Sequence, residues 1–209
     1  MRNRNLFVVL TVASIVAVPA FAEGPSQAAQ TVETQRDVNQ QDRIEQGLQS
    51  GQLTTKEAGQ LERQETHVDH MEANAAANGK VTHAEAARIN AAQNAVSNDV
   101  YKQRHDAQTG HPNSASSKHM QAGVQRDANQ EARINQGVKS GQLTTRETGH
   151  LEQHQAQVAH AEANAAANGR VSRTESARVQ HAANQQSHKI YQQKHDEQTR
   201  TAVKPDAGA

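Results

Sequence analysis

The stretch Gly51-Gln-Leu-Thr-Thr-Lys-Glu57 decides the fold, because it reads as the end of one helix and the beginning of the next. A glycine suits the left-handed residue that follows a helix, and Thr-x-x-Glu is a capping box that opens one. A second stretch, Gly79-Lys-Val-Thr-His-Ala-Glu85, has the same form. These two turns predict helices near residues 33–49, 55–77 and 83–108.

The chain repeats this pattern. Residues 35–109 align without a gap onto residues 125–199 at an offset of 90 residues, and more than half of the paired positions are identical. Short turns make consecutive helices antiparallel neighbours. We therefore predict an all-α protein of two tandem three-helix bundles of about 75 residues each, joined by a short polar linker. The predicted boundaries are residues 33–108 for the first repeat, 109–122 for the linker and 123–198 for the second repeat.

The ends of the chain have a different character. Residues 1–22 combine Arg2 and Arg4, a short apolar run and an Ala20-Phe-Ala22 cleavage motif, which together predict a signal peptide. We therefore expect a periplasmic or secreted protein with no stable membrane insertion after cleavage. Residues 23–32 and 199–209 are predicted to be disordered.

Composition argues against two functional classes. Without residues 1–22 the chain has 22 − 2 = 20 Lys and Arg against 22 Asp and Glu, and its aromatic residues are Tyr101 and Tyr191 alone. This is neither the charge nor the stacking surface that nucleic-acid binding requires. There is no Cys, no serine in a strand-to-helix elbow, and no expected pair of buried carboxylates, so we predict that the protein is not an enzyme.

Histidine is abundant, with 12 in the chain. Imidazole without thiolate suits Zn²⁺, Cu²⁺ or Ni²⁺. His150 and His154 are spaced four residues apart on one helical face, His67 and His70 three apart, and His160 repeats His70. These five residues are the candidate metal ligands. Helical phase turns His70 and His160 away from the apolar stripes, which indicates exposed rings that bind metal weakly.

Two loops resemble calcium-binding EF-hands. Counted as twelve positions, residues 74–85 place Gly79 at position six, Thr82 at nine and Glu85 at twelve, and residues 164–175 repeat this order. Calcium needs six to eight oxygen ligands, but each loop offers a single carboxylate. Because the capping box accounts for the same residues without an ion, calcium binding there is not expected.

Each repeat ends in a shared polar motif. It comprises Tyr101, His105 and Asp106 in the first repeat and Tyr191, His195 and Asp196 in the second. Tyr and His four residues apart are neighbours on a helix, and a His near a helix C-terminus is also favoured by the helix dipole. The motif is our candidate surface for an unknown protein or envelope component.

The motifs G-x-L-T-x-x-E (from Gly51 and Gly141), N-G-[KR]-V-[ST]-x-x-E (from Asn78 and Asn168) and Y-x-Q-[KR]-H-D (from Tyr101 and Tyr191) occur in both repeats. The pattern resembles an uncharacterised family of small exported, helical repeat proteins of Gram-negative bacteria. That resemblance implies export and a helical fold, and it implies no activity. The leading hypothesis is a non-enzymatic module that acts through its surface in binding or structure. The alternatives are a His-dependent Zn/Cu/Ni binder or buffer and a degenerate EF-hand-like calcium binder.

Overall fold

The computed structural model describes residues 25–196, and within that range it contains six α-helices and no strand. The predictions for residues 1–22 and 199–209 lie outside the described residues. The all-α prediction is confirmed. The helices are α1 (Pro25–Ser50), α2 (Thr55–Ala76), α3 (His83–Arg104), α4 (Ala115–Ser140), α5 (Thr145–Ala166) and α6 (Arg173–Lys194).

The turns between helices follow the predicted capping chemistry. Thr54 Oγ1 accepts a hydrogen bond from the Glu57 amide at 3.2 Å, and Glu57 Oε2 accepts one from the Thr54 amide at 2.8 Å. The same reciprocal pair opens α3, α5 and α6. The glycine that follows α1, Gly51, has a φ of 77°, in the left-handed region that a side chain would strain.

The first helix of each repeat is longer than predicted. α1 begins at Pro25, so residues 25–32 are helical rather than disordered, and α4 begins at Ala115, within the predicted linker. Tertiary contacts support the early start: Gln27 Nε2 donates to the Val138 carbonyl at 3.0 Å, and buried Gln30 donates to the Thr145 carbonyl at 3.3 Å. Both acceptors belong to the second repeat, so local composition could not reveal these contacts.

The most extensive contact between the two repeats is made by α2 and α5. A Cβ built on Gly59, near the start of α2, would lie 2.5 Å from the Ala166 Cβ at the end of α5. A Cβ built on Gly149, near the start of α5, would lie 2.6 Å from the Ala76 Cβ at the end of α2. The helices are therefore antiparallel, and small residues at both ends allow their backbones to approach closely.

The helices α1 and α4 pair in the same way. Gln35 Oε1, in α1, accepts hydrogen bonds from Asn135 Nδ2 at 2.9 Å and from Lys139 Nζ at 2.8 Å, both in α4. Near the end of α1, the Leu48 carbonyl accepts from Gln121 Nε2, early in α4, at 3.4 Å. The pair is therefore antiparallel. α3 packs on α1 and α2, and α6 packs on α4 and α5, so four inner helices are flanked by two outer ones.

The apolar core is shared between the repeats, which differs from the prediction of two separate bundles. The main cluster of buried apolar side chains joins Ile44 and Leu61 of the first repeat to Val124, Ala166 and Val179 of the second. A polar linker without an apolar stripe favours two repeats that fold independently of each other. The contacts between the repeats are made instead by their helices. Each repeat alone would leave the inner faces of two helices uncovered.

We therefore expect an isolated repeat, residues 25–104 or 115–194, to lose its helices or to pair with a second copy of itself. Circular dichroism and light scattering on the separate polypeptides test this. A monomeric, helical half that melts cooperatively would contradict the shared core.

None of the six helices between residues 25 and 196 is long and apolar enough to cross a membrane.

Candidate metal centres

The inner helices bury an unusual number of acidic side chains. Apart from the capping residues Glu57 and Glu147, ten acids of α1, α2, α4 and α5 are at most 4% exposed: Glu33, Asp37, Glu62, Glu65, Asp69, Glu72, Asp127, Glu131, Glu152 and Glu162. Among residues 25–196 no Lys, Arg or His side chain is buried with them. A buried charge without a partner is strongly unfavourable, so this interior calls for a chemical explanation.

This corrects the expectation that the fold buries no pair of carboxylates. The signal was present in α2, where Glu62, Glu65, Asp69 and Glu72 follow the three-four-three spacing of a helix face that packs against a neighbour. Acidic residues at that spacing are ordinarily assigned to a solvated face. Only the packing of α2 against α5 turns this face inward.

Three carboxylates from three helices meet in the first cluster. It consists of Glu62 of α2, Asp127 of α4 and Glu162 of α5, and one oxygen of each lies within 4.8 Å of the others. All three residues are at most 1% exposed. Glu62 Oε2 also accepts a hydrogen bond from Gln41 Nε2 at 3.1 Å. We call this group the Glu162 cluster.

A second cluster lies at the other end of the same helix pair. It consists of Asp69 and Glu72 of α2 with Glu152 of α5, again with one oxygen of each within 4.8 Å of the others. Gln93 Nε2 of α3 donates to Glu72 Oε1 at 3.1 Å and to Asp37 Oδ1 at 2.6 Å, which places Asp37 beside the group. We call this group the Glu72 cluster.

The two clusters are related by the repeat. Adding 90 to Asp37, Glu62 and Glu72 gives Asp127, Glu152 and Glu162, and each of the three positions keeps its residue type. The members of the Glu162 cluster therefore correspond to Glu152, Asp37 and Glu72 around the second cluster. Both copies thus keep the acidic residue at these three positions, although Asp69 of the Glu72 cluster corresponds to Ala159.

Several of these oxygens have no hydrogen-bond donor in the part of the chain that the structure describes. Both carboxylate oxygens of Glu162 and of Glu152 are buried without a partner, as is Glu62 Oε1. Buried polar atoms are nearly always hydrogen-bonded in proteins. In each cluster, therefore, unpartnered oxygens converge from different helices.

Burial changes the acidity of these groups. It raises the pKa of Glu62 to about 8, and the adjacent Asp127 carboxylate adds to the rise. Burial also raises the pKa of Asp127 to about 8. The pKa of Glu162 lies well above its ordinary value, first through burial and then through the charges of Asp127 and Glu62. Each of these three carboxyls therefore keeps its proton to a higher pH than an exposed carboxyl does.

The same holds in the Glu72 cluster. Burial is the first cause of the raised pKa values of Asp69, Glu72 and Glu152. Asp37 acts on all three as a neighbouring negative charge, while its own pKa is raised by burial to about 7. In both clusters, therefore, burial and neighbouring negative charges raise the pKa values of the carboxyls.

The histidines predicted as metal ligands lie elsewhere. His67, His70, His150 and His160 are exposed, and His154 is half-buried. Burial lowers the pKa of His154; a hydrogen bond with Gln157 opposes this effect, and the charges of Lys189 and then His150 add to it. Within residues 25–196, none of these five histidines belongs to a group of three ligating side chains close enough to share one ion.

The EF-hand-like loops use their carboxylates for capping. Glu85 Oε2 accepts hydrogen bonds from the Thr82 amide at 2.8 Å and from Thr82 Oγ1 at 2.7 Å. These bonds lower the pKa of Glu85. In the second loop Glu175 Oε2 accepts from the Ser172 amide at 2.8 Å. The terminal glutamate of each loop is therefore committed to opening a helix.

The predicted partner surface is exposed and preorganised. The Tyr101 and His105 rings stack with centroids 4.2 Å apart, and the Tyr191 and His195 rings with centroids 4.1 Å apart. The tyrosines are 60% and 59% exposed. Each His Nδ1 lies 2.7 Å from the carbonyl oxygen of its tyrosine. Asp106 is exposed and Asp196 half-buried, both beyond the last helical turn.

No family model, no curated protein and no solved structure matches the chain. The resemblance of the repeat motifs to a family of exported helical proteins stays a prediction.

Proposed function

We propose that this protein binds hard divalent cations in the two buried carboxylate clusters, and that the bound ions hold its inner helices together. The observation that carries the proposal is the convergence of three carboxylates from three helices, with ligand oxygens within 4.8 Å of one another, in the Glu162 cluster. The Glu72 cluster adds a second group of three buried carboxylates with the same limit on the separation of their oxygens.

The geometry suits one ion in each cluster. Oxygens on opposite sides of one ion are at most about 5 Å apart around calcium and about 4 Å apart around magnesium. The ligand oxygens of each cluster lie within 4.8 Å of one another, which suits calcium better than magnesium. A cluster of three carboxylates alone carries three negative charges when ionised, and a divalent cation offsets most of that charge.

Protons are the competing explanation, and they satisfy the clusters less well. A protonated carboxyl gains one donor, but Glu162 and Glu152 each bury two oxygens without a partner. One cation can coordinate oxygens from all three side chains at once. The same cation removes the repulsion among the charges, which protonation does only when most of the acids are neutral.

The ligand chemistry favours one class of ion. Carboxylate oxygens are preferred by Ca²⁺, Mn²⁺ and Mg²⁺, whereas Zn²⁺, Cu²⁺ and Ni²⁺ favour imidazole. The amide side chains of Gln41 and Gln93 donate hydrogen bonds to Glu62 and Glu72 and so orient the ligands. Export to the periplasm or beyond, proposed from residues 1–22, would expose the protein to these ions.

Native mass spectrometry tests the proposal. Protein stripped with a chelator and then mixed with Mn²⁺ or Ca²⁺ at pH 7.5 is expected to carry two ions per chain and to melt at a higher temperature. Absence of bound ions together with an unchanged melting temperature would contradict the proposal.

Matched variants separate the clusters from the surface histidines. Glu62→Gln with Glu162→Gln is expected to remove one of the two ions. His150→Ala with His154→Ala is expected to leave Mn²⁺ binding unchanged and to weaken only adventitious Zn²⁺, Cu²⁺ or Ni²⁺ binding. The opposite result would restore the histidines as the metal ligands.

The surface module predicted from the sequence is a second candidate, favoured by the stacked Tyr101–His105 and Tyr191–His195 pairs. Tyr101 and Tyr191 fluorescence can report on docking to peptidoglycan fragments or lipid vesicles. A signal that neither ligand changes would count against an envelope component at this surface.

A further inference from the structure

The charged side chains of the protein are divided unequally between its interior and its surface. Residues 25–196 contain 18 Lys and Arg, and none of them is buried. Twelve of the 19 Asp and Glu in the same range are buried. The acids of this range that are not buried are Asp42, Glu45, Glu85, Asp99, Asp106, Glu175 and Asp196. Although the whole chain has a formal net charge of zero, its surface therefore carries an excess of positive charge.

The interior acids offset this excess only in part. Burial raises the pKa of all ten buried acids that do not cap a helix. A carboxyl with a raised pKa keeps its proton to a higher pH, so it carries less negative charge at neutral pH than an exposed carboxyl does. A partner that approaches from solvent therefore meets a basic protein.

The positive charge is concentrated on the second repeat. α4 and α6 carry eight Lys and Arg, and within these two helices the one acid that is not buried is Glu175, which caps α6. The corresponding helices α1 and α3 carry five Lys and Arg with four acids that are not buried. The difference arises at positions such as Asp42, which corresponds to Ala132, and Asp99, which corresponds to Lys189.

A row of three cations joins α4 to α6. Arg126 donates hydrogen bonds to side-chain oxygens of α6, and Arg133 donates to the Ser187 carbonyl at 3.2 Å. Lys194 Nζ donates to the Arg133 carbonyl at 3.1 Å. These acceptors are neutral, so the hydrogen bonds hold the cations in place without cancelling their charge. Burial, and then the charge of Arg133, lower the pKa of Lys194.

Two exposed cations extend this row. Lys118 lies about two turns before Arg126 on the same side of α4, and Arg173 lies about three turns before Asn184, which accepts a hydrogen bond from Arg126. At 1.5 Å per residue, the cations of α4 from Lys118 to Arg133 span about 20 Å. We call this surface the basic face, and it comprises Lys118, Arg126, Arg133, Arg173 and Lys194.

We infer that the basic face binds the anionic surface of a phospholipid bilayer, with the protein adsorbed and no helix inserted. The cations are spread along two helices and do not converge on one point, so they match many phosphate groups in a plane better than one small anion. Exposed Tyr191 lies about five turns after Arg173 on the same side of α6. Tyrosine is favoured at the level of lipid headgroups, whereas single-stranded nucleic acid needs several aromatic rings for stacking. Binding through this face does not require ions in the two carboxylate clusters.

Vesicle flotation tests this binding. Protein without residues 1–22 keeps every described residue and lacks the apolar run of the predicted signal peptide. It is expected to float with vesicles of phosphatidylcholine and phosphatidylglycerol and not with phosphatidylcholine alone. Salt is expected to release it, because ions screen charges at a surface. Failure to bind the anionic vesicles would overturn the inference.

Matched variants locate the binding surface. Lys118→Gln with Arg173→Gln removes two exposed cations of the basic face. This pair is expected to weaken vesicle binding about 20-fold, since each basic residue near an anionic bilayer contributes roughly 5-fold. Lys80→Gln with Arg88→Gln removes two exposed cations of the first repeat. Because α3 flanks the other side of the inner helices, this control is expected to weaken binding by less than about 3-fold.

A second comparison uses equivalent positions of the two repeats. Arg126→Gln with Arg133→Gln is expected to weaken vesicle binding, and Arg36→Gln with Arg43→Gln is expected to leave it nearly unchanged. The exposed pair of variants decides the question if these do not fold. Equal weakening by changes in either repeat would show diffuse attraction and overturn the basic face. Tighter binding to a DNA duplex than to vesicles at equal phosphate concentration would overturn the lipid assignment in favour of nucleic acid.

Discussion

Metal-free protein is expected to be most stable in acid and to lose stability as the pH rises from about 4 to about 8. The folded pKa values of Glu33 and Asp37 are raised to about 7, and those of Glu62 and Asp127 to about 8. A carboxyl with a raised folded pKa binds its proton more tightly when folded, so its contribution is complete below the unfolded pKa near 4. That contribution is lost as the pH rises through the folded value.

The expected loss is large. For Glu62 alone, a pKa raised from 4.5 to about 8 corresponds to on the order of 5 kcal/mol between acid and neutral pH. The whole stability of a domain is about 5–15 kcal/mol. Several such groups together therefore make the metal-free protein much less stable at pH 8 than at pH 4.

Urea unfolding from pH 4 to pH 9 in the presence of a chelator measures this dependence. Saturating Mn²⁺ should flatten the decline, because the cation replaces the protons. A free energy of unfolding that increases with pH in the presence of the chelator would show that these acids are not buried as described.

Replacing ligands by amides is expected to separate stability from binding. In Glu62→Gln with Glu162→Gln, two raised-pKa carboxyls become neutral amides of the same size. Without metal at pH 8 the variant should be more stable than the parent by roughly 2–5 kcal/mol, because it no longer buries those charges. It should also bind one ion fewer.

The matched control is Asp42→Asn with Asp106→Asn, at two exposed acids. It should change neither the stability by more than about 0.5 kcal/mol nor the ion count. If the cluster variant is instead destabilised without metal, its carboxylates contribute hydrogen bonds to the fold that outweigh their charge.

The local structure was predictable because local chemistry determines it. Thr54 and Glu57 form the capping box that their spacing indicates, and Gly51 takes the left-handed conformation after α1. The ends of α2 and the beginning of α3 follow from such signals. The helical residues 25–32 do not, because Gln27 and Gln30 are held by carbonyls of the other repeat.

The candidate site was missed for a related reason. The acids of α2 (Glu62, Glu65, Asp69 and Glu72) have a spacing that suits a solvated helix face and a buried face equally well. The apolar content of the chain does not distinguish these two possibilities. Gly59 and Gly149, near the starts of α2 and α5, are the informative residues. They permit the close pairing that turns the acids inward. The abundance of histidine favoured the prediction of histidine metal ligands, but abundance does not determine whether a side chain is buried.

Anomalous X-ray scattering from crystals grown with Mn²⁺ tests the central claim most directly. The account predicts two manganese positions per chain, one among Glu62, Asp127 and Glu162 and one among Asp69, Glu72 and Glu152. Manganese confined to the surface, or absent from crystals in which these carboxylates stay buried, would contradict it.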